Sequence, residues 1–575
     1  MAGFRVWAPK ATKAAVETAR GRFSMTEKPG GWYEAEVTSA HDGDDYWFVL
    51  DDGERLPDPR TQSQPSGIAG PSRLLDHAAF QWRHDTWTVT AFDRAVVYEL
   101  HVGTFSQDGT FDGVIEHLDH LVNLGITHVE LMPVNEFSGS YGWGYDSVDI
   151  YAPHHAYGGP AALKRLIDGC HERGLAVIAD VVYNHFGPLG NYLERFGNYL
   201  TDRHTTPWGR AVNLDGPGSD DVRRYLCDHA LTMLRDYRFD ALRLDAVHAI
   251  FDMSAVHFLE QLATETRELE EQLGRKLLLI AESDLNDPRV VRAPAAGGYG
   301  IDAQWSDDFH HALHSVLTGE KGGYYQDFGS LADLAKALKH PYVLDGRYSA
   351  FRGRHHGRSP RGLPASKFVV FLQNHDQVGN RAKGERSGRL MDLAHLKIGA
   401  AIVLSGAYVP MLFQGEEWAA SAPFLYFTDH QDQALAQSVR AGRRSEFAAF
   451  GWRPEEIPDP QARDTFIKSK LDWSEVDRSP HREILEWYRS LIRLRREVTA
   501  LTQLSLEATE VEYDDAARWI AIRRGPISVL CNLGDRERTL PCGEGKVLLS
   551  SGKVVRQRGG LKMSVATVAV LLSES

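Results

Sequence analysis

From about residue 90 the sequence repeats one pattern: a short apolar run of β-formers, a loop, a helical stretch, then the next run. VVYELHV (96–102) is the first such run, and Val114, Leu118, Leu121 and Val122 follow at helical spacing. Gly125 stands where that helix must end in a residue free to adopt positive φ. ITHVELMPV (126–134) comes next. Helices over 160–173, 219–237 and 255–273 lead to LAVIADVVY (175–183), FDALRLDAV (239–247) and KLLLIAESD (276–284). GIDAQWSDD (300–308), FVVFLQNHD (368–376) and AYVPMLFQGEE (407–417) bring the count of strands to eight. Such near-continuously apolar strands suit a parallel sheet covered by helices. Eight of them predict a closed (β/α)8, or TIM, barrel. The glycine fingerprint of an open nucleotide-binding sheet is missing after the first run, where Gly103-Thr104-Phe105 stands.

At 575 residues the chain exceeds what one hydrophobic core supports. Before the barrel, FRVWA, GWYEAEV and DYWFVLDD are short β-runs separated by turn residues, as in a small sandwich. The Pro-, Gly- and Ser-rich segment 57–72 reads as an ordered loop into the next domain. After the barrel, RWIAIRR, ISVLCNL, KVLLS and TVAVLLS predict a second β-sandwich. The expected division is therefore an N-terminal β-sandwich over 1–89, a catalytic barrel over 90–498 and a C-terminal β-sandwich over 499–575. Trp7, Trp32 and Trp47 are expected in the core of the first sandwich rather than as sugar platforms.

A net charge of −14 argues against nucleic acid or an anionic membrane as partner. The start, MAGFRVWAPKATKAAVE, has no apolar core of signal-peptide length, and no stretch approaches the roughly 18 apolar residues that span a bilayer. Cys170, Cys227, Cys531 and Cys542 are scattered without metal-ligand spacing and are expected to be reduced. A cytoplasmic protein is the expectation.

In such a barrel the C-terminal ends of the strands face the active site. Those ends carry Asp180 with His185, Arg243 with Asp245, Glu282, and Asn374-His375-Asp376. Asp180, between Ala179 and Val181, is expected to organise structure. Asp245, Glu282 and Asp376 end three separate strands at one level, which points to chemistry. Glycosidic bonds are cleaved by two carboxyl groups flanking the bond. Carboxylates on adjacent strands four and five should lie close enough for a nucleophile and a retaining double displacement. Arg243, on the same face as Asp245, would hold it ionised. Glu282 must start protonated, with a pKa raised by nearby negative charge and desolvation.

The long loop 140–159 carries Tyr141, Trp143, Tyr145, Tyr151 and Tyr157, rings that suit the C–H faces of pyranoses. No metal and no cofactor are expected. His154-His155, His310-His311 and His355-His356 are adjacent pairs, which would point apart on a strand, and neither HExxH nor an EF-hand loop occurs. DGDD (42–45) reads as a turn and GEEW (415–418) as a rim loop.

DVVYNH (180–185), LRLDAVHAI (242–250), AESD (281–284) and FLQNHD (371–376), in that order, resemble the four sequence regions of the α-amylase superfamily. The VWAPKA start resembles its glycogen-branching, isoamylase-like subgroup. That resemblance implies a nucleophile at Asp245, a general acid/base at Glu282 and a transition-state stabiliser at Asp376. It also places His185, Arg243 and His375 around the same sugar, with Tyr145 stacked on it; Asn374, from the strand ends, and Trp143, from the aromatic loop, are further substrate-binding candidates. His248 and Ala249 depart from the Lys-His of many α-amylases, which implies different leaving-group subsites. AESDLNDPR (281–289), QWSDDFHHALH (304–314), NHDQVGNRA (374–382), YFTDH (426–430) and GRRSEFAAFGW (442–452) are more closely similar to the malto-oligosyltrehalose trehalohydrolase family. That family implies hydrolysis of the α-1,4 bond adjoining a terminal trehalose, with malto-oligosyltrehalose and related α-glucans as substrates and a synthase upstream as pathway partner. Asp307, Asp308, Phe427, Asp429 and His430, in loops after the sixth to eighth strands, are then candidates to bracket trehalose, and His248 and Asp284 are further substrate-binding candidates. The rival readings are a glycogen-branching glucanotransferase and a non-catalytic glucan-binding barrel.

Overall fold

The computed structural model describes residues 2–51, 53–84, 87–448 and 453–573, so the motif at 442–452 lies partly outside the described residues. Eight parallel strands close into a barrel. They are β1 (Val97–Leu100), β2 (His128–Leu131), β3 (Ala176–Val181), β4 (Ala241–Leu244), β5 (Leu278–Ala281), β6 (Ala303–Trp305), β7 (Phe368–Phe371) and β8 (Val409–Phe413). Every one of the eight predicted runs supplies a strand, and β8 returns to pair with β1.

Alternate residues along each strand enter different cores, as a pleated strand requires. Val97, Ile178, Ala241, Ile280, Val369 and Met411 fill the lower barrel interior. Val129, Ala179, Leu242, Leu279 and Val370 belong to the outer core beneath the helices. Above the apolar interior layer comes a charged one. Glu99 pairs in register with Glu130, and Asp180 with Arg243. All four are essentially buried.

Helices α1 (Gly159–Glu172), α2 (Ser219–Arg235), α3 (Phe258–Leu273), α4 (Asp307–Thr318), α5 (Leu393–Ser405) and α6 (His481–Glu497) wrap the barrel. The first three match the sequence expectation to within a few residues. Gly125 caps the helix Leu118–Leu124 at φ 98° and donates its N–H to the carbonyls of Leu121 and Val122.

The N-terminal region forms two antiparallel sheets of three and five strands. Phe4 and Val6 of one meet Val16, Tyr46 and Phe48 of the other in the core. Trp7 is buried there, as expected, and also touches Tyr199 of the barrel region edge-on with ring centroids 5.3 Å apart. Trp32 instead faces the barrel: its indole N–H donates to Asp221 of α2 at 2.9 Å. The segment 57–72 continues this seam through Arg60, which pairs with Asp228 at 2.8 Å.

The C-terminal region forms a five-stranded and a three-stranded antiparallel sheet around Leu530, Leu540, Leu561, Met563 and Leu571. Arg524 of this region and Arg495 of α6 both reach the C-terminal end of α5. Arg495 donates to the carbonyls of Leu404, Gly406 and Tyr408 at 2.7–3.1 Å. Arg524 donates to those of Ser405 and Gly406 at 2.7 and 2.8 Å. The last carbonyls of a helix have no intrahelical partner, and these guanidinium groups satisfy them. Among the described residues no helix is long and apolar enough to cross a membrane.

Candidate active site

A cleft of about 400 Å³ opens at the C-terminal end of the barrel, with Asp245, Glu282 and Asp376 on its floor. Arg243 organises that floor. Its Nη1 donates to Asp245 Oδ1 at 2.8 Å and to both oxygens of Asp180 at 2.8 and 2.7 Å. Its Nη2 donates to Glu282 Oε2 at 2.9 Å. The guanidinium stacks over the Trp305 ring, 4.2 Å from its centroid. One fully buried cation thus faces three carboxyl groups from β3, β4 and β5.

This arrangement separates the two central acids. Burial alone would raise the pKa of Asp245, but Arg243 and the Asn184 amide hold it below the usual carboxylate range. Asn184 Nδ2 donates to Asp245 Oδ2 at 2.8 Å. Burial and the charges of Asp245, Asp376 and Asp307 push Glu282 well above that range, against the pull of Arg243. An ionised and a protonated carboxyl therefore stand side by side, which is the pairing a nucleophile and a general acid need.

The chain after β4 takes a left-handed turn at Ala246, with φ 38°. That turn is costly for a residue with a Cβ. It aims the Ala246 N–H at Glu282 Oε2, 2.8 Å away, while Val247 N–H donates to the Glu282 carbonyl at 2.9 Å.

His375 lies on the other side. Its backbone N–H donates to Glu99 Oε2 at 3.0 Å, and its Nδ1 bonds Glu99 Oε1. Its Nε2 lies 2.8 Å from the Tyr145 hydroxyl and 3.4 Å from Asp376 Oδ1. Burial would depress its pKa, but Asp376 and Glu99 raise it to about 9, so the ring is cationic at neutral pH. The Tyr145 hydroxyl also donates to Asp180 Oδ2 at 2.7 Å. Asp180 thus clamps Arg243 and Tyr145, an organising position in keeping with the expectation drawn from its flanking residues.

The aromatic wall is built from the loop after β2. Trp143 donates its indole N–H to the Leu425 carbonyl at 2.9 Å and stacks on Phe424. Gly379 permits this, because a Cβ there would fall 2.1 Å from the Trp143 ring. His185 stacks on Trp208 with centroids 5.0 Å apart, and both line the cleft. His248 and Asp284 lie at one edge, 3.9 Å apart, and Arg352 donates to Asp284 at 3.0 Å. Asp307 does not line the cleft but lies near enough that burial and the charges of Asp284, Asp376 and Asp308 push its pKa up to about 7.

Besides Arg243 beneath the floor and Asp307, five sequence candidates do not line the cleft. Asp308 Oδ2 accepts from the Val343 and Leu344 amides at 2.7 Å and from Asn286 at 2.9 Å, so it fastens a loop. Phe427 is fully buried among His101, Phe424 and Phe466. Asp429 accepts from the Ser140 amide at 2.8 Å and faces a separate groove beside Tyr141 and Arg463. His430 is buried behind the wall, 3.8 Å from Asp146. Asn374 is buried too. Its Oδ1 caps the turn His375–Gly379 by accepting from the Asp376 and Gln377 amides at 3.0 and 3.1 Å, so it aims Asp376.

Sequence reasoning missed Glu99, Asn184, Trp208 and Arg352. A charge in the middle of the apolar run VVYELHV was a readable signal for Glu99. Trp208 and Arg352 sit in loops with no periodicity to place them. The histidine pairs were misjudged at one site: His154 and His155 both turn towards Glu136, because the strand ends at Pro153 and both histidines belong to the turn that follows.

The family model described as the alpha amylase catalytic domain matches residues 62–206, and a domain of unknown function, DUF3459, matches residues 504–570. A malto-oligosyltrehalose trehalohydrolase of Rhizobium sp. (strain M-11) is 46% identical over 97% of this chain and 95% of its own. The Mycobacterium tuberculosis protein of the same name is 46% identical over 99% of both. A crystal structure of a Salmonella typhimurium protein with a provisional alpha-amylase description is 36% identical, with a TM-score of 0.91, over 100% of this chain and 97% of that one.

Proposed function

The chain belongs to the malto-oligosyltrehalose trehalohydrolases, α-amylase-type glycoside hydrolases, and from that premise we propose how its own residues carry the reaction. The substrate is malto-oligosyltrehalose, and the bond cut is the α-1,4 bond adjoining the terminal trehalose. The malto-oligosyl chain lies on the donor side and trehalose on the leaving side. Glu282 gives its proton to the bridging oxygen while the Asp245 carboxylate attacks the anomeric carbon, forming a glucosyl ester and releasing trehalose. Glu282, now ionised, takes a proton from water, and the water oxygen displaces Asp245 to free the maltooligosaccharide with its configuration retained.

Asp376 holds hydroxyls of the distorted sugar, and cationic His375 adds positive charge on the same side. Arg243 keeps Asp245 ionised, and Trp143, Tyr145 and His185 shape the donor subsite. His248, Asp284 and Asp307 form the leaving side, with Arg352 behind Asp284. The observation that supports this reading best is the shared guanidinium: two carboxyl groups hydrogen-bonded to one cation, one lowered in pKa and the other raised.

The division into sandwich, barrel and sandwich at 1–89, 90–498 and 499–575 belongs to the same proposal, as does a cytoplasmic location. All four cysteines are free, which fits a reducing compartment. A synthase that makes malto-oligosyltrehalose is the pathway partner this role calls for. The test is incubation with malto-oligosyltrehalose beside plain maltooligosaccharide and amylose, with products separated by chromatography. Trehalose from the first, with the others cut far more slowly, is expected. New α-1,6 branches or equal cleavage of all three would overturn the assignment.

A further inference from the structure

Outside the cleft, at the stem of the hairpin that carries Trp143 and Tyr145, three potential metal ligands meet. Glu136 ends the short strand Asn135–Glu136, which pairs with Asp149–Pro153. The chain leaves that strand at His154 and enters a tight turn at His155–Tyr157. Two consecutive imidazoles therefore converge rather than diverge. His155 Nδ1 lies 2.8 Å from Glu136 Oε1, and His154 Nδ1 lies 3.2 Å from Glu136 Oε2. One ligand atom from each residue falls within 4.8 Å of the others. A tetrahedral ion with bonds of about 2.0–2.1 Å spaces its donor atoms by about 3.3 Å, and the two nitrogen–oxygen distances here are 2.8 and 3.2 Å.

Among the described residues no lysine or arginine pairs with Glu136. Glu136 and His154 are fully buried. Among the described residues His154 Nε2 has no hydrogen-bond partner, its Nδ1 meets Glu136 alone, and Asp149 Oδ2, on the residue register-paired with Glu136, has no partner. Among the described residues the ion pairs of Glu136 are with these two histidines. Buried carboxylates without a cation are costly, and a bound cation removes that cost.

We propose that Glu136, His154 and His155 bind one divalent transition-metal ion of the zinc class, with a fourth position open towards the half-exposed His155. Two imidazoles and a carboxylate suit zinc and its first-row neighbours, whereas calcium and magnesium ask for oxygen ligands throughout. The ion fastens the stem of the loop that supplies the aromatic wall. It is structural, since the cleft has its own floor of charges.

The test uses the full chain, stripped with a chelator and dialysed, then titrated with zinc chloride by calorimetry. Cobalt(II) serves as a visible-absorption probe. One equivalent of zinc is expected to bind, with cobalt bands at the same stoichiometry and a melting temperature raised by metal binding to the native state. His155→Ala, at a half-exposed ring, and Glu136→Gln are each expected to weaken binding at least about tenfold. Circular dichroism verifies that both variants are folded. No stoichiometric zinc in the natural protein, or the same tight equivalent in folded His155→Ala, would overturn the site.

Discussion

Two sets of buried arginines, one on the cleft floor and one at the seam with the C-terminal sheets, are neutralised by different means. On the cleft floor Arg243 faces Asp180, Asp245 and Glu282, and their charges hold its pKa well up despite burial. At the seam between barrel and C-terminal sheets, Arg495 and Arg524 face carbonyl oxygens, and burial pulls their pKa values down to about 9 and about 10. Both groups remain cations at neutral pH. Carbonyl dipoles accept hydrogen bonds and can do nothing else, so the seam is a fastener. Carboxyl groups around a cation can hold or lose protons, so the cleft floor can react. A charge met by charge gives chemistry; a charge met by dipoles gives adhesion.

The strongest way to break this contrast is Arg243→Met. It leaves three acids around an empty centre, which should cost about 3–5 kcal/mol of stability. It should also lower trehalose release at least roughly 1000-fold, because the acids lose their separation in pKa. Unfolding curves and a product assay check both. Normal turnover in this variant would mean that Asp245 needs no cation.

His375 offers a second test through pH. Its pKa is raised in the native state to about 9, against about 6.5 for the unfolded chain. The native state therefore binds the proton more tightly. Its stabilising contribution is complete below about pH 6.5 and is lost as pH rises through about 9. His375→Gln should flatten the alkaline decline in denaturant midpoints. A slope unchanged by the substitution would show that another group sets it.

At the seam, Arg524→Met should remove about 1–3 kcal/mol by leaving helix-terminal carbonyls unsatisfied, with turnover per folded molecule unchanged. A fall in turnover among folded molecules would show that the seam reaches the cleft. The smallest effect is expected from Asp308→Asn. It keeps an acceptor oxygen for the Val343 and Leu344 amides, and should shift stability by under about 1.5 kcal/mol while leaving KM alone. A large rise in KM would return Asp308 to the substrate.

These contrasts also explain what could be read from sequence. The eight strands were legible because each is an apolar run whose polar end marks the barrel mouth. Arg243, Asp245 and Glu282 were legible for the same reason, since a strand's alternation fixes which side chains point inward. Loops carry no such rule. Asp307 and Asp308 are adjacent acids, yet one stays by the cleft edge while the other fastens a loop, and only the course of residues 343–344 decides between them. Phe427 was a candidate to bracket trehalose and is a core ring, because aromatic residues in a rim loop serve either purpose. His154 and His155 were judged by strand alternation just where the strand stops.

The left-handed turn at Ala246 has a consequence for how the acid meets a bound chain. Two donors, Arg243 Nη2 and the Ala246 amide, engage the same oxygen of Glu282. The exchangeable hydrogen is thereby confined to Oε1, and the acid acquires a handedness that a freely rotating carboxyl would lack. A glycosidic oxygen that approaches Oε1 meets a hydrogen. The backbone torsion at Ala246, together with Arg243, thus fixes which face of the acid is presented to the cleft.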